Sequence, residues 1–189
     1  MAVACGAKNT LIVNNDGFLE ACGRTDTGVL RYKNTSGRHY GFKSVFPTGP
    51  TMRQVSMCGK SAAAVSDNGD LYLCGELFLS TASEVQAETR TRNWLPWFRV
   101  RRNLFGGEAV KMVDVGLKLK TAILTEGGSV YLIDNNIYGN LFEEYQIPNT
   151  DCIKRFSRDD AFDSDNIVMV SMGFHHCVAL SDSGNVYTW

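Results

Sequence analysis

Apolar and polar residues alternate along this chain in four blocks that repeat in phase. Each block opens on a strand-like segment: Val3-Ala4-Cys5-Gly6, Val55-Ser56-Met57-Cys58, Val113-Asp114-Val115-Gly116 and Val170-Ser171-Met172-Gly173. An apolar run follows, Leu11-Ile12-Val13, Ala63-Ala64-Val65, Ala122-Ile123-Leu124 and Val178-Ala179-Leu180. A polar turn with Gly comes next: Asn15-Asp16-Gly17, Asp67-Asn68-Gly69, Glu126-Gly127-Gly128 and Asp182-Ser183-Gly184. Then a second apolar strand begins, Phe18-Leu19, Leu71-Tyr72-Leu73, Val130-Tyr131-Leu132 and Val186-Tyr187. The runs have strand length, and Gly accepts the positive φ of a tight hairpin, so each block predicts an antiparallel meander. Strands this short need a neighbouring meander to pack against. The opening valines lie 52, 58 and 57 residues apart. That period, built of short strands, predicts a propeller or solenoid rather than a single-core domain.

A second half is visible in two blocks, Gly23-Arg24-Thr25-Asp26-Thr27-Gly28-Val29-Leu30 and Asp134-Asn135-Asn136-Ile137-Tyr138-Gly139-Asn140-Leu141. Both carry turn-satisfying polar residues and a Gly at one spacing. Pro47, Pro96 and Pro148 precede the following blocks, which suits outer strands that need not donate to a central ladder.

These residues carry a resemblance to the regulator of chromosome condensation repeat family. Its repeat reads Val-x-x-Gly-x-x-His-x-x-Ala-Leu, a turn Gly, then Val-Tyr-x-Trp-Gly-x-Asn-x-x-Gly-x-Leu. Block four is most similar, with Val170, Gly173, His176, Ala179, Leu180, Gly184, Val186, Tyr187 and Trp189 in place. Block two departs from it, with Cys58 at a Gly position. Kelch repeats are the alternative, because Gly-Gly pairs occur at 106–107 and 127–128. The resemblance implies a seven-bladed propeller of four-stranded blades. The expected fold is therefore all-β: a partial seven-bladed-type β-propeller of about three to four blades, each an antiparallel four-stranded sheet, in one repeat domain over 1–189. A partial ring has unpaired edges at both ends. The expectation is a piece of a longer propeller, or remaining blades supplied by another chain.

Composition adds constraints. The formal net charge of −1 gives no overall bias toward nucleic acid or membrane. Residues 1–120 hold 16 basic and 10 acidic side chains, whereas 121–189 hold 3 and 10. No apolar stretch approaches the roughly 18 residues of a membrane span, and the N-terminus lacks a secretory pattern, so cytoplasm or nucleus is expected. Five of the six cysteines fall at repeat positions (Cys5 with Cys58, Cys22 with Cys74, and Cys177 before its apolar run), which reads as small buried hydrophobes. There is no Cys-x-x-Cys for zinc. Asn34-Thr35-Ser36 matches the glycosylation acceptor pattern, with no secretory route to use it.

The candidate partner-binding residues are Arg90, Arg92, Trp94, Trp97, Arg99, Arg101 and Arg102, in a segment that interleaves arginines with aromatics. Arg and Trp are enriched at interface hot spots, and Arg pairs bidentately with carboxylates and phosphates. The segment reads in two ways: a docking site for an acidic protein, favoured over nucleic acid, or an outer strand with aromatics inward and arginines in solvent. Asp159, Asp160, Asp163 and Asp165 lack the spacing of a calcium loop and read as a solvated connection. His175 and His176 are adjacent, so on a strand they face opposite ways, and His176 holds the repeat's own histidine position. No nucleophile elbow, phosphate loop or paired-carboxylate motif is present. The expectation is no enzyme, no catalytic residue, no metal and no cofactor. The function read from the repeat is protein–protein interaction. The family's founding member implies an alternative, guanine-nucleotide exchange on a small GTPase, and some relatives imply another, the recognition domain of a ubiquitin ligase. One branch senses light through clustered tryptophans; Trp94, Trp97 and Trp189 are too few for that.

Overall fold

The computed structural model describes residues 1–25, 29–30, 37–76, 94–117, 120–133, 153–156, 161–162, 164–173 and 176–189. Strands form where the alternation places them. β1 (Ala2–Cys5), β2 (Asn9–Val13), β3 (Leu19–Arg24) and β4 (Arg38–Ser44) make the first blade. The second blade is β5 (Met52–Cys58), β6 (Ser61–Ser66), β7 (Leu71–Glu76) and β8 (Trp94–Arg99). The third is β9 (Val110–Val115), β10 (Thr121–Thr125), β11 (Val130–Ile133) and β12 (Ile153–Phe156). The fourth holds β13 (Ile167–Met172), β14 (Cys177–Ser181) and β15 (Val186–Thr188). Every pairing runs antiparallel in sequence order, so each sheet is a meander. Three sheets are four-stranded and the fourth is three-stranded among the described residues. β1 packs on β5, β5 on β9 and β9 on β13, so the first strand of each blade lines a shared axis.

Three apolar layers lie between successive blades. Leu11, Leu19 and Ala21 of the first blade pack on Val55, Met57, Ala62 and Ala64 of the second. Ala63, Val65, Leu71 and Leu73 turn the other way, onto Val113, Ile123 and Tyr131. Ala122, Leu124 and Val130 pack on Ile167, Val170 and Ala179. Period-2 alternation thus serves two cores at once: one face of each middle blade meets the preceding blade and the other face the following one. Burial of each such Val or Leu contributes about 1.5–3 kcal/mol.

Hydrogen bonds repeat across the junctions. Met52 N donates to Gly17 O at 2.7 Å, and Val110 N donates to Gly69 O at 2.9 Å. The hairpin turn of each of these blades thereby receives the first strand of the next. Gly23 and Gly75, at φ +116° and +133°, occupy the same register position, where a Cβ would lie 2.2 Å from Lys8 O and 2.5 Å from Lys60 O. Only Gly fits so close to the adjacent backbone.

The outer faces of the first and fourth blades lack this cover. Val3 is 67% exposed, while Val55, Val113 and Val170 at the same repeat position are 7%, 0% and 1% exposed. Val186 is 62% exposed, against 1% for Leu71 and 0% for Val130. Identical positions in one chain differ only in whether a neighbouring blade is present.

Candidate protein-docking face

β8 carries the aromatic half of the candidate segment. Trp97 is buried against the first blade, where its indole N–H donates to Val29 O at 2.9 Å and its ring meets Phe46 edge-on at 5.7 Å. Phe98 points to the opposite face and joins the layer between the second and third blades. Trp94 begins the strand. Arg90 and Arg92 lie outside the described residues.

The arginine half leaves the sheet. After Arg99 the chain turns toward the axis through Val100 and a short 3-10 turn, Arg102–Phe105, closed by Gly106 at φ +64°. Val100 and Phe105 are buried and anchor this crossing, and Arg101 and Arg102 between them are half-buried. The anchor on the polar side is Asp70, in the turn before β7. Its carboxylate meets Arg102 Nη2 at 2.6 Å and Arg99 Nε at 3.5 Å, and Arg102 Nη2 also donates to Asn68 O at 2.8 Å. The Asp70 side chain is 15% exposed and that of Arg99 60%, so the carboxylate sits beneath the guanidiniums. Burial pushes the Tyr72 phenol above its usual value; Asp70 adds to the rise and Arg99 opposes it. Arg99, Val100, Arg101, Arg102 and Asn103 line an open cavity of about 200 Å³. The structure brings Arg99, Arg101 and Arg102 together on a propeller face and sends Trp97 into the core.

A second polar centre lies at the axis. Asp114 accepts from Ser56 Oγ at 2.6 Å in the preceding blade, and from Met172 N at 2.8 Å and Ser171 Oγ at 3.0 Å in the following one. One carboxylate therefore joins three blades. Gln54 reinforces the same junction, donating to Val113 O and accepting from Val113 N, both at 3.1 Å. Burial pushes the Cys177 thiol up to about 11, with Asp114 adding to the rise, and the Cys58 thiol moves the same way for the same two reasons. Burial also raises the Cys74 thiol. Sequence reasoning missed Asp114 and Asp70. Asp114 shares its repeat position with Ala4, Ser56 and Ser171, which hides it in the pattern, and Asp70 looks like an ordinary turn residue.

Asp165 accepts from Ser183 Oγ and Asn185 Nδ2, both at 2.8 Å, and from the Tyr187 hydroxyl at 3.0 Å, which holds its carboxyl down at about 2. It ties the connection before β13 to the β14–β15 turn. Asp159, Asp160, Asp163 and His175 lie outside the described residues. The His176 ring lies over Gly173 of its own blade. Among the described residues no group of three His, Cys, Asp or Glu is placed to hold a metal ion. No described helix is long and apolar enough to cross a membrane.

No family model matches the chain. It is 27% identical to the ultraviolet-B receptor UVR8 of Arabidopsis thaliana, over 99% of this chain and 40% of that protein. It is 26% identical to the human E3 ubiquitin-protein ligase HERC2, over 100% of this chain and 4% of the ligase. Among solved structures, human WBSCR16 superposes with a TM-score of 0.70 at 19% identity, over 99% of this chain and 46% of its own. Prp20p of Saccharomyces cerevisiae follows at 0.63 and 19%, over 96% and 44%. The chain thus spans less than half the length of each of these relatives. With the in-phase motifs and the radial meanders, these likenesses support repeats similar to those of the regulator of chromosome condensation, in a fold that matches part of a β-propeller.

Proposed function

We propose that this chain is a protein-interaction module, docking a partner through the propeller face that carries Arg99, Arg101 and Arg102. The observation that carries this reading is the division of labour along the repeat. The recurring apolar positions are consumed by blade-to-blade packing, whereas the crossing after β8 carries an exposed Arg99 beside the half-buried Arg101 and Arg102. Connections on a fixed scaffold are where recognition residues accumulate. No covalent chemistry is assigned to any residue.

Likeness to Prp20p, whose structure was described with its binding to Gsp1p and histones, favours a second reading: exchange of guanine nucleotide on a small GTPase. Exchange would proceed by prying the nucleotide site open. Likeness to HERC2 supports a role as the recognition part of a larger ligase. The uncovered faces bearing Val3 and Val186 fit further blades, from the same polypeptide or from another chain. A site of action in cytoplasm or nucleus accompanies either reading.

The test is affinity capture on the immobilised chain, followed by isothermal titration with each purified candidate. A one-to-one partner binding below about 10 μM supports the module. Acceleration of nucleotide release from a small GTPase by tenfold or more moves the assignment to exchange. The absence of any partner in both assays overturns the reading.

A further inference from the structure

Independently of that docking face, we propose that two copies of this chain associate head to tail, the outer face of the fourth blade in one copy receiving the outer face of the first blade in the other. Every large apolar side chain that is exposed among the described residues belongs to the first or fourth blade, and none to the second or third. On the first blade Val3 and Ile12 share a row, and on the fourth Met169, Leu180 and Val186 share another. Inside the chain the same rows meet and are covered. Ala64, Ile123 and Ala179 at the Ile12 position, and Val65 and Leu124 at the Leu180 position, are all fully buried. The three junctions of the chain are one heterologous contact made three times, and the two bare faces are the halves of a fourth. Heterologous contacts close into rings where the rotation allows.

The two faces also match in size. At two interior junctions a Met of the following blade fills the space over a Gly of the preceding one. A Cβ on Gly6 would lie 2.6 Å from Met57 Cε, and one on Gly116 2.5 Å from Met172 Cγ. At the third, Cys58 stands in place of the Gly and Val115 in place of the Met, so a larger residue meets a smaller one in the same layer. Close packing demands such compensation. On the fourth blade the His176 ring already lies over Gly173. The first-blade residue that would enter there is Cys5, which holds the repeat position of Met57 and Met172 and is shorter than either.

The first-blade face is built for a neighbour that arrives without a connecting segment. Each connection into a following blade sets a Phe against a Tyr of that blade's third strand. The ring centroids lie 5.4 Å apart for Phe46 and Tyr72, 5.3 Å for Phe105 and Tyr131, and 5.1 Å for Phe162 and Tyr187. The first blade has Glu20 at this position, held by Asn14 Nδ2 at 3.2 Å. Charge favours the pairing: residues 1–44 hold six basic and three acidic side chains, and 157–189 hold one and five. Opposite charges steer the encounter. The seam lacks the aromatic clasp and has Ala4 where Asp114 bridges blades, so it is weaker than an interior junction. A Kd on the order of 10 μM follows, with separate copies at about 1 μM and pairs at about 100 μM.

Sedimentation velocity on the intact 189-residue chain tests this. The expected mass is twice 20.9 kDa at about 100 μM and 20.9 kDa at about 1 μM. Val3→Asp and Val186→Asp each place a charge in the seam and should be monomers at the higher concentration. Their circular dichroism should match wild type, because both side chains are exposed in a single copy. Mixed in equal amounts, the two variants should pair again, since the intact fourth-blade face of Val3→Asp meets the intact first-blade face of Val186→Asp. Arg99→Ala, on the docking face, should leave the mass unaltered. A monomeric wild type at the higher concentration overturns the proposal and leaves the faces to blades of a longer polypeptide or another protein. Pairing that survives either variant overturns it too, as do folded variants that fail to pair on mixing, or loss of pairing in Arg99→Ala. If a partner is captured by a chain that never self-associates, the seam falls and the module stands. If the copies pair but no partner is ever captured, the module falls and the seam stands.

Discussion

Replacing Asp114 with Ala removes one carboxylate from the junction of three blades. Four donors then lose their acceptor: Ser56 Oγ, Ser171 Oγ, Met172 N and the backbone N of Val115. These do not count equally. Ser171 is exposed and rebinds water, so its loss costs little. Val115 N keeps a second acceptor, Ser56 Oγ at 3.0 Å. Ser56 is buried, and the Met172 amide is partly so. Each loses a charge-assisted bond worth about 1.5 kcal/mol, for a destabilisation of about 3 kcal/mol. Asp114→Asn should cost about half as much, because its carbonyl oxygen can still serve one of the two donors. Urea unfolding gives the stability change, and native-state hydrogen exchange locates it. The Met172 amide should lose protection while the Leu11 amide, in the first blade, keeps its own. A change below 0.5 kcal/mol, or unaltered protection at Met172, would show that the apolar layers alone hold the blades and that the axial carboxylate is incidental.

Trp97→Phe should destabilise by about 2 kcal/mol through the lost bond to Val29 O and the cavity left beside Phe46, and Trp97→Ala by about 3–5 kcal/mol, both read by urea unfolding. In mass-spectrometric alkylation at pH 8, exposed Cys5 should be modified first, while Cys74 and Cys177, buried and raised in pKa, should resist until the chain unfolds. The folded-state pKa of Asp165, depressed from 3.8 to about 2, means that its contribution is full above pH 4 and is lost between about pH 4 and 2. Asp165→Asn should therefore flatten the acid limb of a Tm-against-pH curve, its difference from wild type shrinking as the pH falls toward 2. Leu71→Ala should cost about 2–4 kcal/mol, whereas Val186→Ala at the same repeat position should stay within about 0.5 kcal/mol in this chain; an equal cost at both would mean that the outer face of the fourth blade is already covered.

Much of the fold was readable along the chain, because a repeat writes each position several times. Val3, Val55, Val113 and Val170 lie within the four first strands, and the Gly-bearing turns at 17, 69, 128 and 184 set the hairpins. Pro96 does lie in an outer strand, as its missing N–H requires, whereas Pro47 falls in the connection after β4. What the repeat could not reveal is what varies between copies. Asp114 gains its role from Ser56 and Met172, 58 residues away on either side, and nothing local marks it. The Arg102–Asp70 contact joins residues 32 apart across a hairpin and a long connection. Trp97 and Arg99 look alike as members of one aromatic-basic run. The strand's alternation does not separate them, because the two-residue offset places both on one side; the sheet ends at Arg99, where the neighbouring blade no longer covers it. The partition between core and solvent depends on where the sheet stops, which composition does not encode.

The same reasoning explains why a scaffold of this kind separates stability from recognition. Each interior blade presents two apolar faces, so its core residues are constrained from both sides and substitutions at Ala63, Val65 or Ile123 act on a junction. The crossing from β8 to β9 is anchored at Val100 and Phe105, with Asn103 exposed between them. The exposed Arg99 and Asn103 can therefore change without disturbing either layer. Asp70 is the exception that couples the two: it belongs to the hairpin that receives β9 through Gly69 O, and it also fixes Arg99 and Arg102. Loss of Asp70 would loosen the arginines while leaving the apolar packing intact, so the electrostatic order of the face depends on one turn residue rather than on the core beneath it.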